Sequence, residues 1–205
     1  MSALSLYVDG MFIASVNTDG YDMLDVRVHG TCVDKNIASL DFSGGAHPEG
    51  GDSTFLTWVN DLPIKPKQVV KVVFIEEALT SHRGKTIDEL FPDEIDKEPI
   101  DFKPLPEAIN EIRIMPKLRN SISFRVQSPQ AGILTGETES DKFGFGFGVL
   151  WNAWHPECAS VSLHSYTLEN LESHGPLNYI LSEKISLGSE VQFEIIATSN
   201  LKRDV

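Results

Sequence analysis

Apolar and polar residues alternate along much of this chain with a period of two, the pattern of strands buried on one face. "MLDVRVHG" sets Leu24, Val26 and Val28 against Asp25, Arg27 and His29, so one face of that strand is apolar and the other wet. Before it, "LSLYVDGMFIASV" places Asp9-Gly10 between two apolar runs. Both turn residues tolerate the positive φ of a type I′ turn, which predicts a hairpin with strands near 4–8 and 11–16. Asp19-Gly20 marks a second turn, and further strands are expected in "IASLDF" from Ile37 and in the β-branched "KQVVKVVFIEE". Between them Phe55, Leu56, Trp58 and Val59 cluster at helical spacing behind Ser53, which predicts a short helix capped by that serine.

The same order recurs 121 positions later, without a gap from Tyr21 to Glu77. Leu24, Val26 and Val28 fall on Phe145, Phe147 and Val149, and Val70, Val72 and Ile75 fall on Val191, Phe193 and Ile196. "SISFRV" and "GILTG" resemble the opening hairpin. The pattern predicts a duplicated chain: a first β module over 1–78, an acidic Pro-rich connector over 79–119, a second module over 120–199 and a tail over 200–205. Within the connector, Thr86 and Glu89 form a capping box for a helix that Pro92 stops, and Pro106 opens a second that Pro116 ends. A module of roughly 75 to 80 residues gains only about 3–5 kcal/mol from its own core, so the halves are expected to pack together. The expected fold is mainly β, two related antiparallel, sandwich-like modules in one body, each with a short helix. The alternative is an α+β arrangement with helices over one sheet face.

"KFGFGFGVLWN" departs from the alternation of its counterpart, whose wet face carries Asp25, Arg27 and His29, because that face is stripped here at Gly144, Gly146 and Gly148, the last two falling on Asp25 and Arg27. Each glycine costs about 0.5–1 kcal/mol against alanine inside a strand, so something is expected to lie close to that bare face. A neighbouring strand or the other module is the first expectation. A ligand or partner groove lined by Trp151 and Trp154 is the second.

Charge narrows the partners. With Lys and Arg totalling 17 against 30 Asp and Glu, the formal charge of −13 disfavours nucleic acid and anionic membranes and favours a basic protein partner. The acidic connector, through Asp93, Glu94, Asp96 and Glu98, is a second candidate binding surface. The opening residues lack a basic segment followed by an apolar run, no stretch approaches the roughly twenty apolar residues of a membrane span, and two cysteines cannot form a disulfide framework. A cytoplasmic location with both cysteines as thiols is expected.

Candidate chemistry is sparse. His29-x-x-Cys32 and His155-x-x-Cys158 share one spacing, and two imidazoles with two thiolates would suit tetrahedral zinc. "RGKT" from Arg83 lacks the first glycine of a phosphate-binding loop, since Leu79 stands in its place. Ser81 beside His82, and the serines near His164 and His174, have no strained nucleophile turn around them. The sequence therefore points to a non-enzymatic cytoplasmic binding protein, of inhibitor or immunity type, for a basic partner. The alternative is a zinc-dependent protein or enzyme with a His2Cys2 site between the modules.

Overall fold

The computed structural model describes residues 2–48, 50–94 and 105–200. Its opening hairpin joins β1 (Ala3–Val8) to β2 (Met11–Asn17), with Asp9 at φ 53° and Gly10 at φ 77° as a type I′ turn requires. β3 (Met23–Thr31), β4 (Ala38–Ala46), β5 (Thr54–Ile64) and β6 (Val69–Ile75) complete the first half. The second half runs through β7 (Arg119–Ser128), β8 (Gly132–Glu137), β9 (Gly144–Asn152), β10 (Cys158–Tyr166), β11 (Asn178–Ser186) and β12 (Ser189–Asn200). Among the described residues three short helices accompany them: α1 (Ile87–Leu90) and α2 (Leu105–Arg113) between the halves, and α3 (Leu168–Ser173) between β10 and β11. Among the described residues no helix is long and apolar enough to cross a membrane.

The strands form two six-stranded antiparallel sheets, one in the order β2-β1-β6-β12-β7-β8 and the other in the order β11-β10-β9-β3-β4-β5. Each sheet takes three strands from each half, so neither half owns a sheet. The inner faces meet in one core, where Leu4, Leu6, Val70 and Val72 of the first sheet join Leu24, Val26, Leu40 and Leu163 of the second. At its centre Phe193 stacks on Phe147 with ring centroids 4.8 Å apart. Fully burying a side chain of this size contributes about 1.5–3 kcal/mol, so the sandwich is held mainly by apolar contact between the sheets. The phenylalanines of "GFGFG" thus pack sheet on sheet, against Phe193 of the same half, and the glycines face outward.

The two halves repeat one another in register. Val26 pairs with Phe42 between β3 and β4, and adding 121 to both gives Phe147 and Leu163, which pair between β9 and β10. Ala38 pairs with Ile64, and the same addition gives the pair Ala159 and Ile185. The halves join at β3–β9, where Arg27 faces Gly148, and at β6–β12, where Lys71 faces Gln192.

The segment behind Ser53 is a strand, β5, where a helix was expected. The ladder to β4 slips between Phe42 and Ser43, which pair with Val59 and Thr57 and leave Trp58 as an extra residue. That bulge turns the consecutive Trp58 and Val59 both inward, breaking the period of two in the sequence and imitating helical spacing. The capping box at Thr86 and Glu89 is present, with Glu89 N donating to Thr86 Oγ1 and Thr86 N to Glu89 Oε2.

Candidate functional site

A groove of about 800 Å³ lies on the outer face of the second sheet, floored by β4, β3, β9 and β10. Its position follows from the alternation of β3 and β9, whose apolar residues point into the core and whose Asp25, Arg27, His29 and glycines point out. One wall is α1, with Ile87 and Leu90, beside Phe55 of β5. That wall is fastened by reciprocal backbone bonds between Thr57 and Lys85 at 2.8 Å and by Trp58 Nε1 donating to the His82 carbonyl at 3.0 Å. Gly84 permits this approach, since a Cβ there would stand 2.8 Å from Leu56 Cβ. "RGKT" therefore serves as a packing and capping segment. The opposite wall is α3 with Leu171 and, after it, Leu177. Arg113 of α2 braces α3 through ion pairs to Glu172 at 2.8 Å and Glu169 at 3.6 Å.

The floor is ordered in cross-strand rows. Gly146 lies between His29 of β3 and His164 of β10, and Gly148 lies between Arg27 and Ser162. The glycines are not equivalent. A Cβ at Gly144 would stand 2.6 Å from Tyr166 Oη and 2.8 Å from the Gly30 carbonyl oxygen, and one at Gly146 would stand 2.8 Å from the His164 imidazole. The rings of Tyr166 and His164 lie over these two positions, an aromatic cover of bare backbone. At Gly148 the nearest atoms to a Cβ would be Ser162 Oγ at 3.7 Å and Asp25 Oδ1 and the Val26 carbonyl oxygen at 3.9 Å, so a Cβ there meets only ordinary contacts. The expectation of a close neighbour is met at Gly144 and Gly146 by side chains of the adjacent strand. The opposite, phenylalanine face packs on Phe193 of β12.

Two carboxylates and one guanidinium set the charge of the floor. Asp25 binds Arg27 at 2.8 Å through Oδ2. Asp41 is aimed over the floor by a bulge in β5, where Asp61 takes φ 49° and its amide donates to Asp41 Oδ1 at 2.8 Å. The other oxygen of Asp41 stands 3.4 Å from His29 Nδ1. Burial pushes the Asp25 carboxyl above its usual range, with Asp41 adding to the shift and Arg27 opposing it. Burial, with Arg27 adding, lowers the His164 imidazole, and burial raises the Tyr166 phenol. The buried Nδ1 of His164 has no hydrogen bond, and that of His29 has only Asp41 at 3.4 Å beside it. The floor is thus a cleft with perturbed titration.

The other residues singled out in the sequence lie elsewhere. Trp151 points into the core at 3% exposure and donates Nε1 to the Pro156 carbonyl, because its position on β9 has the inward parity of the phenylalanines. Trp154 stands 79% exposed on the turn after β9, so neither tryptophan lines the groove. Asp93 is exposed on a 3-10 turn over Pro92–Glu94 that also holds Glu94, while Asp96 and Glu98 lie outside the described residues.

The two His-x-x-Cys motifs are not brought together. Thr31 pairs with Gly144 and Met23 with Asn152, so Cys32 follows one end of the β3–β9 pair and His155 and Cys158 follow the other. Nine-residue strands at about 3.3 Å per residue keep them roughly 25 Å apart. Cys32 is moreover buried, while His29 faces the groove. Among the described residues no group of three or more His, Cys, Asp or Glu is placed to hold a metal ion.

Among the described residues Ser81 Oγ contacts His82 Nδ1 and His47 Nδ1 contacts Ser53 Oγ, both at 2.9 Å. The second nitrogen of His82 faces the Trp58 carbonyl at 3.4 Å, which leaves no carboxylate to orient that ring. Sequence reasoning weighed Ser162 only as a hydroxyl near His164 and missed Tyr166, both outward on β10 beside the glycine strand, and Asp41, which stands on β4 beside β3. The chain matches no protein-family model, no curated protein and no solved structure.

Proposed function

We propose that the protein is a non-enzymatic binding protein, of the inhibitor or immunity type, that takes a basic protein partner in the groove on its second sheet. The observation that carries this reading is the groove's composition: a floor with two carboxylates against one guanidinium, between apolar walls that leave Phe55 and Ile87 exposed. Apolar rims supply contact area and a charged floor supplies orientation, the division of labour of protein interfaces. The formal charge of −13 adds long-range attraction for a cationic partner. A cytoplasmic setting belongs to the same proposal, and the two free thiols are in keeping with it. So does a duplication of the halves, for which the repeated register between β3–β4 and β9–β10 is the support.

The test is a titration of a fluorescent lysine- and leucine-containing peptide into the protein at two salt concentrations. Binding that weakens at least tenfold between 50 and 300 mM salt, and weakens comparably in the Asp25→Asn/Asp41→Asn double variant, is the expected result, on the order of two contacts to the groove charges. Equal binding to the parent and the double variant would remove the groove as the basic partner's site.

A further inference from the structure

Of the three outward glycines, only Gly148 has room above its backbone for a further atom without a clash, and what borders that place is specific. Ser162 Oγ stands on the β10 side and Asp25 Oδ1 on the β3 side, 3.7 and 3.9 Å from where a Cβ would sit. Arg27 faces Gly148 in the register, yet its guanidinium is turned along its own strand to Asp25 Oδ2. Asp25 keeps its other oxygen toward the notch, and its side chain is only 14% exposed. A hydroxyl and a shielded carboxylate oxygen thus face each other across bare backbone. Leu150 pairs with Asp25 and lines the same groove, offering an apolar surface next to the notch.

We infer that the notch over Gly148 is a lysine subsite, in which the primary ammonium of a partner's lysine sits between Asp25 Oδ1 and Ser162 Oγ with its aliphatic stem along Leu150. The inference rests on the proposed function and names the group by which the basic partner is recognised. An ammonium is a compact donor on a flexible stem and can point protons to acceptors on both sides of it. A guanidinium is a planar fork that matches two oxygens of one carboxylate, and Arg27 already takes one oxygen of Asp25. The stem of a lysine covers apolar surface while its head stays polar, as Leu150 beside the notch requires. The raised titration of Asp25 is in keeping with a carboxylate that lacks a full complement of donors until a ligand arrives.

The test uses the blocked tripeptide Leu-Lys-Leu, its Nε-acetyl-lysine form and its arginine form, each titrated into the full 15N-labelled chain. The lysine peptide is expected to shift the amides of Gly148 and Ser162 saturably, acetylation to weaken binding at least tenfold, and arginine at least fivefold. Gly148→Ala, which meets only ordinary contacts, is expected to weaken the lysine peptide at least tenfold without lowering the melting temperature, and Ser162→Ala to weaken it severalfold. Undiminished lysine binding by Gly148→Ala and Ser162→Ala, or equal binding of the acetylated peptide, would overturn the subsite. Should lysine and arginine peptides bind alike and shift residues around Asp41 instead, the subsite falls while the basic-partner reading stands. Should no basic peptide bind at 50 mM salt, both fall.

Discussion

Gly144, Gly146 and Gly148 look alike in the sequence, but the contacts above them assign three different outcomes to the same substitution. Gly144→Ala would press on a backbone oxygen, that of Gly30, which cannot swing aside as a side chain can. A loss of about 1–3 kcal/mol in chemical denaturation is expected. At Gly146 only the far end of His164 must move, so alanine there is expected to cost under about 1 kcal/mol and to release the imidazole into the groove. The same imidazole gives a pH signature. Its value is lowered in the fold, so between that lowered value and about 6.5 only the unfolded chain binds the proton. Its contribution is fully present above about 6.5 and is lost as pH falls, and thermal melts of His164→Gln are expected to lose that part of the slope. Asp25 runs the other way. Its raised value means that the folded chain holds the proton longer, so its charge opposes folding once pH has risen through the window above 3.8. Asp25→Asn is therefore expected to keep or raise the melting temperature at pH 7 while weakening basic ligands, a division that a purely structural carboxylate would not show.

Among the elements, the hairpin of β1 and β2 was legible because Asp9-Gly10 encodes its turn, and β3 because Leu24, Val26 and Val28 alternate with Asp25, Arg27 and His29. β5 was misread because its bulge sets Trp58 and Val59 side by side toward the core, a local irregularity that only the partner strand reveals. α3 had a readable start, with Thr167 three residues before Asn170, but its capping box uses asparagine in place of the usual glutamate. The groove walls were illegible for a different reason: α1 and α3 come from segments far apart in sequence, and only the sheet between them gives them a common purpose. The first wall is continuous with a stretch that covers the edge of β2, where Ser15 N donates to Ser81 Oγ at 3.1 Å and Asn17 N to Thr80 Oγ1 at 3.2 Å. Such cover shields an edge strand from pairing with other chains. Replacing Thr80 by valine and Ser81 by alanine is expected to cost about 1 kcal/mol per lost bond, read as faster hydrogen exchange at the amides of Ser15 and Asn17.

For the whole molecule, the repeat of apolar positions was the most informative signal in the sequence, but it left open how the halves meet. The register answers that through two joints, β3–β9 in one sheet and β6–β12 in the other. Because each sheet is completed only by both halves, residues 1–94 alone are expected to give an unfolded circular dichroism spectrum. Adding residues 105–205 should restore the β signal, and a folded 1–94 fragment would contradict this. The joint at Arg27 and Gly148 also bears on how two molecules could entangle. If the first half of one chain met the first half of another at equivalent positions, two guanidiniums would confront each other at the midpoint of the new strand pair, a like-charge contact that disfavours it. With Gly148 at that midpoint, the intended partner offers no charge at all. The glycine beside the proposed subsite thus also discriminates between proper closure and the pairing of two first halves during folding.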